Sequence, residues 1–385
     1  MKIQRLGLLA SVALVGSLAL TACGSNNNAG SSAGGSGSAS SSASGSASSS
    51  ATTSSDCPTG GGTLNAEGSS AQKNAIEEAI SSFQDQCQGT TVNYNPTGSG
   101  AGIKQFIGGQ VDFAGSDSAL KTVPVAGKVE ATEAAKACGS PAWDLPMVTG
   151  PIAVSYNLKG VSKLVLGPEV IANIFNGKVT TWNDPSIAKL NPGVTLPSEP
   201  IKVFFRSDES GTTENFTKYM HAAAPMAWTA APGKKWTGKG QGKAQTAGVA
   251  AAVKATEGGI TYAEWSYAKD NNLGIAQIDN GAGPVTLTGD SVSKAVAAAK
   301  VVGMGNDLSL KLNYATKEPG AYPILLVTYE IVCSKGKDAA KTALTKAFLK
   351  HFASADTQKS LEQVGYAPLP DSIRTKVDAA IAALS

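Results

Sequence analysis

The sequence predicts an α/β fold with largely parallel sheets for the part of the chain that follows residue 56. Two observations support this prediction. Short apolar runs of strand length alternate with segments whose apolar residues recur at helical spacing. Glycine and proline, 43 and 18 of the 385 residues, separate almost every pair of these segments. About 330 residues remain after residue 56, which is enough for two domains of ordinary size.

The first predicted elements alternate strictly between strand and helix. They are strand Gly62–Asn65, helix Ala71–Phe83, strand Thr91–Tyr94, helix Ile103–Ile107 and strand Val111–Ala114. The later strands are Pro151–Tyr156, Ile201–Phe205 and Ile324–Tyr329. The later helices are Pro168–Phe175, Thr213–Ala223, Thr246–Lys254 and Ala339–Ala353.

Residues 1–22 have the features of a secretory signal peptide. Lys2 and Arg5 precede a short apolar run, and Cys23 follows Leu20-Thr21-Ala22 in a context that resembles the bacterial lipobox. The run is too short to span a bilayer by itself. We therefore expect cleavage before Cys23 and its acylation, for example with palmitate, so that the protein is anchored on the outer face of the cytoplasmic membrane. The alternative is an ordinary secreted protein with an unmodified cysteine.

Residues 23–56 form a predicted tether. From Gly24 to Asp56 the chain consists almost entirely of Ser, Gly, Ala, Asn and Thr, so it cannot bury enough apolar surface to fold. A flexible Gly/Ser chain of this length has an r.m.s. reach of roughly 30 Å. We expect a disordered segment that holds a folded domain away from a membrane.

The charge balance gives no indication of a nucleic-acid partner. The chain has 32 Lys and Arg against 29 Asp and Glu. Removal of residues 1–22 leaves 30 basic and 29 acidic residues, and no basic stripe or acidic tail is present.

Cysteine usage predicts two disulfide bonds in an exported protein. Four cysteines follow Cys23, at Cys57, Cys87, Cys138 and Cys333. Their spacing leaves three pairings open. We favour Cys57–Cys87, which brackets one predicted strand and its helix, together with Cys138–Cys333.

The histidine pattern gives no support for a metal site. His221 and His351 have no Cys or acidic partners at ligand spacing, and the chain has no C-x-x-C motif. We therefore expect neither a metal nor a cofactor, and we place both histidines on helix surfaces.

Three loops rich in Gly, Ser and Thr each lead into a predicted helix: Gly68–Gln72, Thr97–Lys104 and Arg206–Thr213. The start of a helix has unpaired N–H groups and the positive end of the helix dipole, so it attracts anions. Arg206 adds a cation that can hold an oxyanion with two hydrogen bonds. A single loop of this kind is more often an ordinary N-cap. Lys104 is expected to be a solvated helix residue rather than a ligand.

A fourth segment, Val111–Asp117, places a carboxylate at the end of a short strand, where open α/β sheets bind ligands. With the three loops it resembles the phosphate-binding protein of the high-affinity phosphate ABC transporter, the PstS family. The resemblance extends from about Thr63 to the C-terminus. Its further motifs are Asn176–Asp184, Ile260–Glu264, Lys269–Leu273 and Tyr366–Asp371.

The resemblance implies a two-lobed periplasmic-binding-protein architecture of type II, the Venus-flytrap arrangement, with the ligand between the lobes. One lobe would comprise residues 57–150 and 323–385, and the other residues 151–322. The implied phosphate ligands are Ser70, Ala71 (backbone N–H), Ser99, Asp117, Arg206, Ser210, Gly211 (backbone N–H) and Thr212. Glu209, a carboxylate beside this set, is expected to point to solvent or to pair outside the pocket.

The function implied by the resemblance is capture of inorganic phosphate by a monomer, without catalysis, and its delivery to the permease and ATPase subunits of an ABC transporter. A receptor for another tetrahedral oxyanion such as sulfate is an alternative, but Asp117 would repel a ligand that carries no proton. A secreted phosphate-ester hydrolase with Ser99 as nucleophile is another alternative. The G-x-S-x-G spacing and a suitable histidine base are missing for it. A surface adhesin without a small ligand is a third.

Overall fold

The structure is a computed structural model that describes residues 57–125 and 127–385. The predicted signal peptide and the expected tether, including Cys23, therefore lie outside the described residues. Within the described part of the chain, none of the helices has the length and apolar character needed to cross a membrane.

The described residues form fourteen strands and twelve helices. The strands are β1 (Gly62–Gly68), β2 (Thr90–Asn95), β3 (Phe113–Ser116), β4 (Ala142–Asn157), β5 (Val165–Leu166), β6 (Lys202–Arg206), β7 (Gln241–Lys243), β8 (Gly259–Glu264), β9 (Gly274–Ile275), β10 (Gln277–Asp279), β11 (Pro284–Val285), β12 (Lys300–Val301), β13 (Leu310–Lys311) and β14 (Leu325–Cys333). The helices are α1 (Lys73–Gln86), α2 (Ser99–Ile107), α3 (Glu130–Cys138), α4 (Pro168–Phe175), α5 (Pro185–Leu190), α6 (Gly211–Ala223), α7 (Gln245–Lys254), α8 (Trp265–Asp270), α9 (Gly289–Ala297), α10 (Ala339–Ala353), α11 (Ala355–Ser360) and α12 (Asp371–Ala382).

The largest sheet has the strand order β2-β1-β3-β14-β4-β8-β6-β7, and β9 also pairs with β4. Pairing is parallel among β1, β2 and β3 and among β6, β7 and β8. It is antiparallel wherever β4 or β14 takes part. The prediction of largely parallel sheets therefore holds for the outer strands and is wrong for the middle. The chain passes from one half of the sheet to the other in β4 and returns in β14, which makes these two strands antiparallel.

Strand β4 is much longer than the sequence predicts, since the pattern indicated only Pro151–Tyr156. It begins at Ala142 and stays buried through almost its whole length. Proline inside a strand usually indicates an edge or an interruption. Here Pro146 lies opposite Tyr329, next to the register shift between Thr328 and Tyr329 of β14. The irregularity accommodates the proline, so the strand continues across it.

Two large apolar cores lie along these crossing strands. The first is built on β1, α1, β3, α10 and α12, with Ile76, Phe113 and Phe348 fully buried. The second is built around β8, α4 and α6, with Phe175 and Phe216 fully buried. Strand β4 contributes residues 145, 147 and 148 to the first core and residues 152–154 and 156 to the second. The two halves of the molecule are therefore joined by continuous strands.

The structure contains both disulfide bonds that we favour. Cys57 pairs with Cys87 across a Cα–Cα distance of 5.3 Å, and this bond brackets β1 and α1. Cys138, the last residue of α3, pairs with Cys333, the last residue of β14, although 195 positions separate them in the sequence. A bond across so long a loop restricts the unfolded chain strongly.

The two histidines lie in different environments. His221 is exposed on α6, as predicted. His351 is only partly exposed, because α10 packs against α1: its Nε2 lies 2.8 Å from the Ser82 hydroxyl, and its ring centroid lies 5.6 Å from that of Phe83. Burial lowers the pKa of His351. The prediction of a surface position was therefore wrong for this residue.

Candidate functional site

The three Gly/Ser/Thr loops of the sequence meet at one place, at the starts of α1, α2 and α6. The Gly98 N–H donates to the Gly68 carbonyl over 2.7 Å, which joins the first loop to the second. The Gly211 N–H donates to the Ser99 hydroxyl over 3.2 Å, which joins the second to the third. Three helix N-termini therefore converge on a single volume, as an anion site requires.

Asp117 lies at the centre of this volume, directly after β3, and only 3% of its surface is exposed. Its Oδ1 accepts hydrogen bonds from the hydroxyls of Ser69 (2.5 Å) and Thr328 (2.8 Å), and its Oδ2 accepts one from Ser99 (3.1 Å). Burial raises the pKa of Asp117, while these hydrogen bonds and the charge of Arg206 oppose the rise. The result is a carboxylate in a ring of donors.

Arg206 ends β6 and is also buried. Asp208 holds its guanidinium in a fork, with Nε to Oδ1 at 2.8 Å and Nη2 to Oδ2 at 2.5 Å. Burial alone would lower the pKa of Arg206, but the bonds and charge of Asp208 raise it. The remaining nitrogen, Nη1, donates to the hydroxyls of Thr212 (3.3 Å) and Thr246 (3.0 Å). Arg206 is therefore a fixed, fully charged donor.

The other predicted ligands surround this pair and are all buried. The Ser70 hydroxyl lies 3.1 Å from that of Thr246, and the Ala71 N–H donates to the Ser69 hydroxyl over 3.0 Å. Ser210 is the N-cap of α6, where its hydroxyl oxygen accepts from the Thr213 N–H. An accepting hydroxyl keeps its own proton for another partner. The eight predicted ligand residues thus belong to one cluster.

Glycine is required at the start of α6. A Cβ atom at Gly211 would lie 2.5 Å from the Asp117 Cβ and 2.5 Å from the Ser99 hydroxyl oxygen. These distances are shorter than any van der Waals contact allows. The close approach of α6 to β3 and α2 therefore depends on the missing side chain.

Sequence reasoning missed several residues of the site: Ser69, Asp208, Thr246, Glu264 and Thr328. Ser69 and Asp208 stand inside the Gly/Ser/Thr loops, so their position was a usable signal. Thr246 and Glu264 gave a weaker signal, because Thr246 begins the predicted helix Thr246–Lys254 and Glu264 ends a motif of the resemblance, and neither stands in an anion loop. Thr328 gave none, because it lies within an apolar strand.

Glu209 is directed away from the buried cluster. Its carboxylate forms ion pairs with Lys104 at 2.6 Å and with Lys235 at 3.3 Å. These two lysines lower the pKa of Glu209, with the hydrogen bond from Lys104 as the largest cause. Lys104 is highly exposed but is paired, so it links α2 to the loop before α6 rather than standing alone in solvent.

Three tyrosine hydroxyls hold the carbonyl groups of the first loop. Tyr94 donates to the Ser69 carbonyl (2.7 Å), Tyr267 to that of Ser70 (3.1 Å) and Tyr366 to that of Ala71 (2.6 Å). The tyrosines come from β2, from α8 and from the segment after α11. With three successive carbonyls fixed in this way, the orientation of the peptide groups at the start of α1 is determined.

A cluster of three lysines surrounds one buried carboxylate beside the site. Glu214, in the first turn of α6, forms ion pairs with Lys121, with Lys218 (2.7 Å) and with Lys234 (3.7 Å). Burial alone would raise the pKa of Glu214, but the three lysines hold it well below its usual value. A cavity of about 570 Å³ opens here, and Asp117 is among its lining residues.

The fold and the site together define a class: the protein is a two-lobed periplasmic binding protein of type II. A family model described as a PBP superfamily domain matches residues 39–356. The chain is 45% identical over 390 residues to the phosphate-binding protein PstS 3 of Mycobacterium tuberculosis, and the match covers all of both chains. It is 35% identical over 312 residues to the phosphate-binding protein PstS of Pasteurella multocida, with 77% of this chain and 84% of that one covered. The chain belongs to the PstS family of phosphate-binding proteins.

Solved structures show the same fold at lower identity. A high affinity periplasmic phosphate-binding protein, PfluDING, bound with phosphate, is 22% identical with a TM-score of 0.65. A phosphate-binding protein from Stenotrophomonas maltophilia is 20% identical with a TM-score of 0.63. Each match covers 82% of this chain and 93% of the other.

Proposed function

We propose that the protein captures inorganic phosphate outside the cytoplasm and delivers it to the permease of an ABC transporter. The observation that carries the proposal is Asp117, a buried carboxylate inside a cluster of donors that includes Arg206. Such a site suits an anion that still carries a proton. Phosphate keeps at least one proton at neutral pH, whereas sulfate keeps none. The names of the relatives support the same ligand.

The proposed ligand set has three kinds of group. Arg206 supplies charge, the backbone N–H groups of Ala71 and Gly211 supply fixed dipoles, and hydroxyl groups supply adjustable donors. These hydroxyls belong to Ser70, Ser99, Ser210 and Thr212. Asp117 accepts the proton of the phosphate. Since sulfate would face Asp117 without a proton to donate, the site excludes it by placing the carboxylate beside a like charge.

The proposed lobes are residues 57–150 with 323–385, and residues 151–322. Their closure would enclose the ligand, since the first two loops belong to one lobe and the third to the other. One segment of the second lobe packs outside it: Leu308, between β12 and β13, is buried in the first core, and the Leu310 N–H donates to the Tyr329 hydroxyl over 3.0 Å. We therefore propose that the β12–β13 hairpin moves with the first lobe.

The proposed location is the outer face of the cytoplasmic membrane, where acylated Cys23 anchors a monomer next to the permease and its ATPase. Two acyl chains hold a protein firmly, whereas one chain binds only marginally. Cys23→Ala should abolish labelling of the protein by a fatty-acid analogue in cells. Labelling that persists in this variant would exclude Cys23 as the anchor.

Calorimetry of the mature protein with phosphate and with sulfate at neutral pH tests the main proposal. Phosphate should bind at one site, and sulfate should bind far more weakly. Equal binding of the two would favour a general oxyanion receptor. Turnover of a phosphate ester would favour a hydrolase, although the Ser99 hydroxyl is bonded to Asp117 rather than to a histidine.

A further inference from the structure

Glu264 is a second buried carboxylate at the site, and the proposed ligand set assigns it no part. It ends β8 and is fully buried. The Thr212 hydroxyl donates to its Oε1 over 2.6 Å. Its other oxygen, Oε2, is buried and has no hydrogen-bond partner among the described residues. A buried, half-satisfied carboxylate is unfavourable in its ionised form.

The bond to Glu264 affects what Thr212 can do for an anion. A threonine hydroxyl has one proton to donate and two lone pairs that accept. Here the oxygen accepts from Arg206 Nη1 and the proton goes to Glu264. With Glu264 ionised, Thr212 therefore has no proton left for phosphate. With Glu264 neutral, the carboxylic acid donates to Thr212, and the hydroxyl proton becomes free to turn toward the anion.

The charges around Glu264 favour its neutral form. The titratable groups that face it are Asp117 after β3, Arg206 of β6, Tyr267 of α8 and Tyr366 after α11. Burial and the negative charge of Asp117 raise the pKa of Glu264, and Arg206 opposes this rise. Arg206 is already paired with Asp208. A bound phosphate would add further negative charge and act in the same direction as Asp117.

We propose that Glu264 is a positioning residue of the phosphate site, which binds a proton from solvent when phosphate binds and thereby releases the Thr212 hydroxyl to donate to the anion. The inference rests on the proposed function and deepens it. Phosphate binding is then coupled to proton uptake by the protein itself, in addition to any proton that the phosphate exchanges.

The test is calorimetry of phosphate binding in pairs of buffers with different ionisation enthalpies, which counts the protons taken up. Wild type is compared with Glu264→Gln, since a glutamine amide can donate to Thr212 at every pH. Protons exchanged by phosphate itself are the same for both proteins and cancel in the difference. We expect wild type to take up more protons, up to about one per site, at some pH above the ordinary range of carboxyl pKa values.

The affinities should follow the same linkage. Above the folded-state pKa of Glu264, phosphate affinity of wild type should fall relative to that of Glu264→Gln, by up to about tenfold per pH unit. Glu257→Gln is the matched control, because Glu257 is a partly exposed carboxylate paired with Lys159 outside the site. On binding phosphate, Glu257→Gln should take up as many protons as wild type.

Equal proton uptake by wild type and Glu264→Gln across the whole pH range would overturn the inference while phosphate binding itself still stands. Absence of phosphate binding by wild type would instead overturn the proposed function. If Glu264→Gln does not fold, the infrared difference spectrum of wild type decides the matter. Phosphate should produce a new protonated-carboxyl band above the pKa of Glu264, and its absence at every pH would contradict the proposal.

Discussion

Asp117 and Arg206 lie in one buried cluster, but we expect them to have different roles in ligand binding. Arg206 is a cation that Asp208 holds in place, so its contribution to binding is charge and direction. Asp117 places a carboxylate beside the proposed anion site, which is favourable only for a ligand with a proton to donate. Affinity should therefore depend mainly on Arg206, and selectivity mainly on Asp117.

Replacement of these two residues should separate affinity from selectivity. Arg206→Ala leaves a buried anion without its charged partner, and we expect a loss on the order of 2–5 kcal/mol in phosphate binding. Asp117→Asn adds an N–H donor where only an acceptor stood. It should lower the ratio of phosphate to sulfate affinity more than it lowers phosphate affinity. Calorimetry with both anions measures this ratio, with Asp378→Asn, exposed on α12, as the control. An unchanged ratio in Asp117→Asn would mean that Asp117 is not the proton acceptor.

Gly211→Ala tests whether the close approach of α6 matters for binding. The added methyl group would meet both the Asp117 side chain and the Ser99 hydroxyl, so α6 must move away from them. We expect phosphate affinity to fall at least tenfold, which corresponds to about 1.4 kcal/mol. Gly289→Ala is a matched control, because Gly289 also starts a helix and a Cβ there meets nothing within 4 Å. If the two variants bind phosphate equally well, the contact at Gly211 is dispensable.

At the scale of elements, the loop before α1 is shaped by parts of the chain that are distant in sequence. Its three carbonyls accept from tyrosines of β2, α8 and the segment after α11. The loop is therefore positioned by elements on both sides of the crossing strands. Local turn chemistry alone would leave the peptide planes at residues 69–71 free to rotate.

Tyr267→Phe should weaken phosphate binding although Tyr267 is not among the proposed ligands. Loss of one hydrogen bond costs about 1 kcal/mol of stability. The freed Ser70 carbonyl should also allow the neighbouring N–H groups to turn away from the anion, so we expect phosphate affinity to fall several-fold. Tyr156→Phe is the control, since that hydroxyl donates to the Val161 carbonyl in the second core. Equal phosphate affinity of the two variants would show that the tyrosine bonds serve stability alone.

At the scale of the whole molecule, ion pairs join the two proposed lobes around α6. Lys121 pairs with Glu214, Lys104 with Glu209, and Lys234 reaches both Glu130 and Glu214. Of these four pairs, only Lys104–Glu209 has a highly exposed partner, Lys104, and this pair should contribute little to stability. Glu214 differs, because only 2% of its side chain is exposed and it forms ion pairs with three lysines.

Glu214→Gln should destabilise the protein in a pH-dependent manner. Removing the charge leaves three lysines close together around a buried amide, and we expect a loss of about 3–5 kcal/mol near pH 7. The pKa of Glu214 is lowered in the folded protein, so its contribution is complete above the unfolded-state pKa of about 4.3 and is lost as pH falls further. Urea unfolding of both proteins between about pH 7 and pH 3 measures this difference. A difference that stays constant with pH would contradict the role of the charge.

The sequence by itself determined the local features of this protein. Alternating apolar patterns predicted six of the twelve helices of the described residues, and α4 and α10 were predicted with their observed bounds. The three Gly/Ser/Thr loops, Asp117 and Arg206 were also accessible, because capping, glycine conformation and helix-end charge depend on residues a few positions apart.

Only the tertiary structure decided which distant groups complete the site. Thr328 reaches Asp117 across 211 positions, and Thr246 reaches Ser70 across 176. Glu264 meets Thr212 because β8 ends where α6 begins, which no spacing in the sequence reveals. The course of β4 past its prolines depended likewise on its pairing with β14. Hydrogen bonds of this kind form only when the chain has crossed between its two cores, so their partners are set by topology rather than by local pattern.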